Sequence, residues 1–285
     1  MSDPDLHEKE RAALAKLAPL RDVIAAYGLQ AKKSLGQNFL LDQNITDKIV
    51  RLCGALDGVN VIEIGPGPGG LTRSLLRSHA ARVRAVEADP RAVAALSDLK
   101  EAAGGRLRVI EGDALEIDPV SLCPAPRAII ANLPYNIATP LLLRWLEDLR
   151  TDGGAYGFLA LMFQKEVAQR ICAQLSTKAY GRLSVISQWL CEAKVLVELP
   201  PSVFTPPPKV RSAVVRLVPR SLPADAPDFA ALERVTAAAF QGRRKMVRSS
   251  LCDYMQHFEE AGVDPQARAE NLSVAQYVRL AQLSG

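Results

Sequence analysis

The stretch Val61-Ile-Glu-Ile-Gly65-Pro-Gly67-Pro-Gly-Gly70 decides the fold. A short apolar run beginning at Val59 leads into glycines spaced GxGxxG, and a helical pattern covers Leu71–Ser78. Strand, glycine turn and helix in that order open a βαβ unit. Glycine suits such a turn because it adopts backbone conformations closed to side chains and lets a ligand lie against the main chain. Downstream, a strand over Arg82–Glu87, a helix over Pro90–Lys100 and strands over Leu107–Glu111 and Ala128–Ala131 continue the alternation. It predicts an α/β fold with a parallel sheet covered on both faces, in which ligands bind beyond the carboxyl ends of the strands.

On the N-terminal side, Leu6, Leu14, Leu17, Leu20, Ile24 and Tyr27 recur at roughly helical spacing, predicting one amphipathic packing helix that ends near Gly28. A polar, basic loop over Ala31–Asn38 and a helix over Asp42–Leu56 come next. On the C-terminal side the pattern gives a strand over Tyr156–Met162, helices over Gln164–Leu175 and Gly181–Leu190, and strands over Cys191–Val197 and Ala213–Val218. The turn-rich Ser221-Leu-Pro-Ala-Asp-Ala-Pro-Asp228 then introduces a small, helical segment. The expected organisation is an N-terminal helical extension (1–31), a main domain (32–220) and a helical C-terminal domain (221–285).

Composition limits the function classes. Hydrophobic residues make up 48% and charged residues 23%, an ordinary globular balance. The net charge of +4 is too small to argue for a polyanion by itself, but nine basic residues face three acidic ones between Phe204 and Ser250, which places a nucleic-acid contact there. The five cysteines are scattered and form no metal-ligand spacing, so they read as reduced and mostly buried, with no metal expected. The first 27 residues mix acids and bases and lack a signal peptide's apolar core, and no apolar run approaches the roughly 20 residues that span a bilayer. A cytoplasmic protein without a membrane partner is the expectation.

The glycine loop alone fits a nicotinamide dinucleotide as well as S-adenosylmethionine. Pro66 and Pro68 tilt the choice, because neither has the backbone N–H that a pyrophosphate-binding loop would use. Glu63 adds negative charge beside a site that would receive a cationic sulfonium and amino group. Glu87, ending the next strand, is placed to accept two ribose hydroxyls, and Asp113, after the third, to accept an adenine amine.

After the fourth strand comes Asn132-Leu133-Pro134-Tyr135-Asn136. An amine conjugated to adenine is a poor nucleophile, and acceptors on its protons favour a pyramidal nitrogen whose lone pair can attack a methyl group. Asn132 supplies one such acceptor and the backbone carbonyl of Leu133 or Pro134 a second, while Tyr135 offers a ring face for an extruded base.

These residues, with Leu35-Gly-Gln-Asn-Phe-Leu40, Phe204-Thr-Pro-Pro-Pro-Lys-Val210 and Ser212-Ala-Val-Val-Arg216, make the chain from about Lys32 to Arg248 resemble the small-subunit ribosomal RNA adenine dimethyltransferases. The resemblance implies a Rossmann-like class I methyltransferase sheet, and S-adenosylmethionine bound by Asn38, Leu40, Gly65, Glu87, Asp113 and Asn132. It implies that Phe204 stacks on the target adenine opposite Tyr135. Two neighbouring adenines near the 3′ end of small-subunit RNA would each receive two methyls, on the pre-assembled subunit and from a monomeric enzyme. Arg243, Arg244, Lys245 and Arg248 correspond to the family's basic C-terminal helix and would meet phosphate. Two alternatives share these features: an antibiotic-resistance methylase of large-subunit RNA, and a non-catalytic RNA-binding relative.

Overall fold

The computed structural model describes residues 4–29, 38–242 and 244–284. Of the loop expected over Ala31–Asn38, all but Asn38 lies outside them, as does Arg243. The chain divides into two compact units. The first takes residues 1–142, 155–165 and 195–216, and the second takes 143–154, 166–194 and 217–285.

A seven-stranded sheet is formed by β1 (Asn60–Ile64), β2 (Arg82–Glu87), β3 (Leu107–Glu111), β4 (Arg127–Ala131), β5 (Phe158–Gln164), β6 (Cys191–Leu199) and β7 (Ser212–Pro219), in the order β3-β2-β1-β4-β5-β7-β6. The first five pair in parallel, with Val61 opposite both Val83 and Ala128. Inner strand β1 is buried along its whole length and β5 almost so, as strands covered on both faces must be. Edge strand β6 instead alternates, carrying Glu192, Lys194 and Glu198, charges that discourage pairing with another chain.

The helices of the first unit pack around this sheet. Helices α3 (Gln43–Cys53) and α4 (Gly70–Arg77) lie together, and Asp47 binds them by accepting from Ser74 Oγ at 2.5 Å and from Arg77 at 2.8 Å. The helix expected over Pro90–Lys100 is interrupted at Leu96, giving α5 (Pro90–Ala95) and α6 (Ser97–Ala102). The N-terminal extension is likewise two helices, α1 (Pro4–Ala15) and α2 (Leu20–Ala26), where one was expected. The overlooked signal was Pro19, which lacks the N–H a continuous helix needs and sits at the N-cap of α2. Both helices are docked. Leu14 and Leu20 are buried, Leu29 packs on Ala92 and Ala95 of α5, and the nearly buried Glu10 accepts from Arg106 Nε at 2.6 Å.

In the second unit, α9 (Arg182–Leu190), α10 (Phe229–Phe240) and α12 (Val274–Leu283) form a helical cluster around an aromatic seam. Phe240 meets Tyr180 edge-on and Tyr277 at 5.7 Å between ring centres, while the Tyr277 hydroxyl donates to the Ala269 carbonyl at 2.7 Å. Helices α7 (Ala138–Thr151), α8 (Lys165–Ile171) and the single turn α11 (Val247–Ser250) complete the set. The basic residues expected at helical spacing do not share a helix: Arg244 and Lys245 follow the end of α10, in a turn begun by Gly242, and Arg248 lies in α11. Glycine's low helix propensity accounts for the break.

Removing Arg106 would leave Glu10 buried without that cation. Arg106→Ala is expected to destabilise the protein by roughly 3 kcal/mol, read as a lower urea midpoint.

Candidate active site

The carboxyl ends of β1, β2, β3 and β4 open into a cleft of about 240 Å³ in the first unit. Asn38, Leu40, Gly65, Glu87, Asp113, Asn132, Leu133, Pro134 and Tyr135, all singled out from the sequence, line it. Phe204 does not. It pairs through its backbone with Leu40, and its side chain is packed away at 3% exposure.

The glycine loop is shaped mainly by the protein's own atoms. A Cβ on Gly67, whose φ is +55°, would come within 2.8 Å of the Phe39 ring, and one on Gly70 would collide with the Leu40 carbonyl oxygen. Glycine is therefore required here by close packing against the Phe39–Leu40 segment, a reason that the sequence alone did not give. The loop's backbone donors are also committed. Gly65 N–H donates to Val86 O (2.9 Å), Gly67 N–H to Glu87 Oε2 (3.0 Å) and Gly69 N–H to Pro66 O (3.0 Å). With Pro66 and Pro68 contributing none, the loop is a poor cradle for a pyrophosphate.

The walls are acidic. Glu87 accepts from Gly67 N–H and from Asp89 N–H at 2.9 Å, which holds its carboxylate rigidly; burial raises its pKa even against these hydrogen bonds. Asp89 caps α5 and pairs with Arg91 at 2.6 Å, and Arg91 in turn donates to the Gly28 carbonyl at 2.7 Å. Asp113 accepts from Leu115 N–H at 2.9 Å, fixing the turn after β3. Glu63 is 1% exposed, and its Oε2 has no hydrogen-bond partner. Burial pushes its pKa up to about 8, the Glu87 charge adding to the rise and the Thr72 hydroxyl opposing it.

On the opposite wall Asn132 Nδ2 donates to the Asn38 carbonyl at 2.9 Å, which fixes the amide plane and leaves Oδ1 as an acceptor. The Pro134 carbonyl accepts from Ile137 N–H at 3.1 Å, so the turn already employs it. The Tyr135 hydroxyl and Ser212 Oγ lie 2.6 Å apart, and burial raises the Tyr135 pKa. In the sequence Ser212 only opens one of the blocks that carry the family resemblance; its tether to Tyr135 spans 77 positions and no local pattern announces it.

The family model described as ribosomal RNA adenine dimethylase matches residues 28–284. The chain belongs to the ribosomal RNA adenine dimethylase family. It is 52% identical over 275 residues to the ribosomal RNA small subunit methyltransferase A of Ruegeria sp. (strain TM1040), covering 95% of this chain and 98% of that one. With the protein of the same name from Rhodospirillum rubrum it shares 54% over 269 residues, covering 93% and 92%. Among solved structures it is similar to a dimethyladenosine transferase from Plasmodium falciparum, with a TM-score of 0.68 and 25% identity over 84% of this chain and 94% of that one. It is also similar to the 23S rRNA methyltransferase ErmE, with a TM-score of 0.65 and 26% identity over 87% and 100%.

As a member of the adenine dimethylase family the chain is an S-adenosylmethionine-dependent RNA methyltransferase with the Rossmann-like class I sheet that its sequence led us to expect. The cleft fits that cofactor: its loop offers few phosphate donors, and the buried Glu63 carboxyl, one of whose oxygens has no hydrogen-bond partner, lines it without a neighbouring cation. Among the described residues no helix is long and apolar enough to cross a membrane.

Gly70→Ala should displace Leu40 and cost about 1–3 kcal/mol in unfolding free energy, as overpacking does. Calorimetry should show weakened cofactor binding in the same variant, because Leu40 lines the cleft.

Proposed function

We propose that this protein transfers methyl groups from S-adenosylmethionine to N6 of two adjacent adenines near the 3′ end of small-subunit (16S) ribosomal RNA, giving N6,N6-dimethyladenosine. It acts in the cytoplasm, as a monomer, on the pre-assembled small ribosomal subunit, and so contributes to subunit biogenesis. The observation that carries the catalytic reading is the Asn132–Asn38 hydrogen bond, because it turns Asn132 Oδ1 into a fixed acceptor at the edge of the cleft.

When bound, S-adenosylmethionine supplies an electrophilic methyl on a sulfonium. The chain's own residues prepare the nucleophile. Asn132 Oδ1 accepts one proton of the adenine amine. The Leu133 carbonyl is the better candidate for a second acceptor, since that of Pro134 is occupied by the turn. Holding both N–H bonds directs the nitrogen lone pair into the cleft, and after one methylation the remaining N–H can be held in the same way. Tyr135, anchored at its hydroxyl by Ser212, presents a ring of fixed orientation against the flipped base. Phe204 would take the other face, which requires its ring to leave its packed position when RNA binds.

On the cofactor side we assign Glu87 to the ribose hydroxyls, Asp113 to the adenine amine, and Asn38, Leu40, Gly65 and Asn132 to the remaining contacts. Residues 221–285 would serve as the helical RNA- and ribosome-binding domain. There the exposed Arg244, Lys245 and Arg248 are available to phosphates, with exposed Lys209 in the first unit. Arg216 is occupied otherwise, its guanidinium lying 4.8 Å from the centre of the Phe158 ring.

The test is transfer of labelled methyl to purified small subunits, large subunits and naked RNA, followed by nucleoside analysis. N6,N6-dimethyladenosine on small subunits alone supports the reading; the same product on large-subunit RNA moves the protein to the resistance class; cofactor binding without transfer leaves an RNA-binding role. Asn132→Ala should lower turnover by two or more orders of magnitude while RNA affinity changes less than about threefold. Equal losses in both would refute the assigned role.

A further inference from the structure

Glu63 stands apart from the other acids of the cleft. Asp89 is paired with Arg91, Glu87 accepts two backbone N–H groups and Asp113 accepts one. Glu63 ends its side chain at the cleft wall with Oε2 unpartnered, on an inner strand of the sheet and almost fully shielded from water. The groups acting on it are the Thr72 hydroxyl from α4 and the Glu87 carboxyl from β2, and neither brings positive charge. A carboxylate so placed is costly to ionise, whereas a carboxylic acid there is merely a buried polar group.

We propose that Glu63 is a protonated carboxylic acid in the free enzyme and releases its proton to solvent when the cationic methionyl end of S-adenosylmethionine enters the cleft, becoming its buried counter-charge. The inference rests on the methyltransferase reading above and adds a proton to its binding step. The O–H bond of Glu63 breaks, the proton leaves through the cleft mouth to buffer, and an ion pair with the cofactor replaces it. The sign follows from burial: Glu63 holds its proton below about pH 8, so net release approaches one proton near pH 7 and vanishes well above pH 8. Affinity conferred by Glu63 therefore rises as pH approaches 8, up to about tenfold per unit, and then levels off.

The experiment is isothermal titration calorimetry of the full chain in buffers of different ionisation enthalpy, with S-adenosylmethionine and with 5′-methylthioadenosine, which lacks the charged methionyl end. The cofactor's own α-amine titrates near pH 8 as well, so the quantity read is the wild-type value minus that of Glu63→Gln. The expected result is about one more proton released by wild type at pH 7 for S-adenosylmethionine, no difference for methylthioadenosine, and methylthioadenosine affinity in the variant within about twofold of wild type. Equal proton release by both proteins overturns the proposal. Difference infrared spectroscopy of the wild type gives a check independent of the variant's folding: a carboxylic-acid carbonyl band should disappear on adding S-adenosylmethionine, and its persistence or absence from the outset also overturns it. Failure of the wild type to bind either nucleoside would instead defeat the methyltransferase reading itself.

Discussion

The backbone of Leu40 lies so close to Gly70 that no side chain fits between them, and the cleft is organised around that contact. It brings the Phe39 ring onto Gly67 and sets Asn38 where its carbonyl can receive Asn132. The same short segment pairs with Phe204 and Thr205, so one extended stretch links the glycine loop, the Asn132 loop and the proline-rich connection. Gly65 joins the arrangement from the other side, since a Cβ there would meet the Pro134 ring at 3.4 Å. Cofactor loop and target loop are thus in mutual contact, and a shift in either is felt by the other because interiors are packed nearly as tightly as molecular crystals.

The electrostatics follow from how hydrogen bonds are allotted. Loop amides that could attract phosphate are turned inward, and carboxyl groups face the cavity. A polyanionic RNA meets such a cleft with repulsion between its backbone and the acidic walls, while an uncharged base is not repelled in this way. Exposed Lys209, Arg244, Lys245 and Arg248 lie outside the cleft lining. On the function proposed above, charge would sort the substrate, the cations holding the RNA backbone and the cleft admitting the uncharged base.

Much of this was legible in the sequence because parallel strands announce themselves as short apolar runs, each followed by a residue that lines the cleft. Strands β2 and β3 have the limits expected, and the acids after them line the cleft. Features set by single residues against the trend were harder to see. Pro19 divides the N-terminal helix, Gly242 precedes the turn holding the basic cluster, and Leu96 interrupts the helix after β2. Helix α7, with Trp145 fully buried within it, has no counterpart among the elements expected from the sequence. Contacts made by residues distant in sequence were invisible for a different reason: nothing near Asn132 specifies the Asn38 carbonyl, and nothing near Tyr135 specifies Ser212. Phe204 is an intermediate case: between Val203 and Thr205 it reads equally well as a core residue or as a base contact, and its burial falls on the core side of that choice.

The tether between Tyr135 and Ser212 has a consequence for the order in which the enzyme comes into being. Synthesis runs from the N-terminus, and β1 to β4 are complete long before Ser212 has been made. The glycine loop and its acids can form from local βαβ pairing, whereas Tyr135 acquires its anchor only when β7 has joined the sheet. Contacts of such long sequence separation close late and slowly, because the intervening chain must first be ordered. The nascent chain can then shape the cleft around the glycine loop before the Tyr135 ring is anchored, and on the reading proposed above an unfinished copy of this protein would bind cofactor before it could hold a flipped adenine.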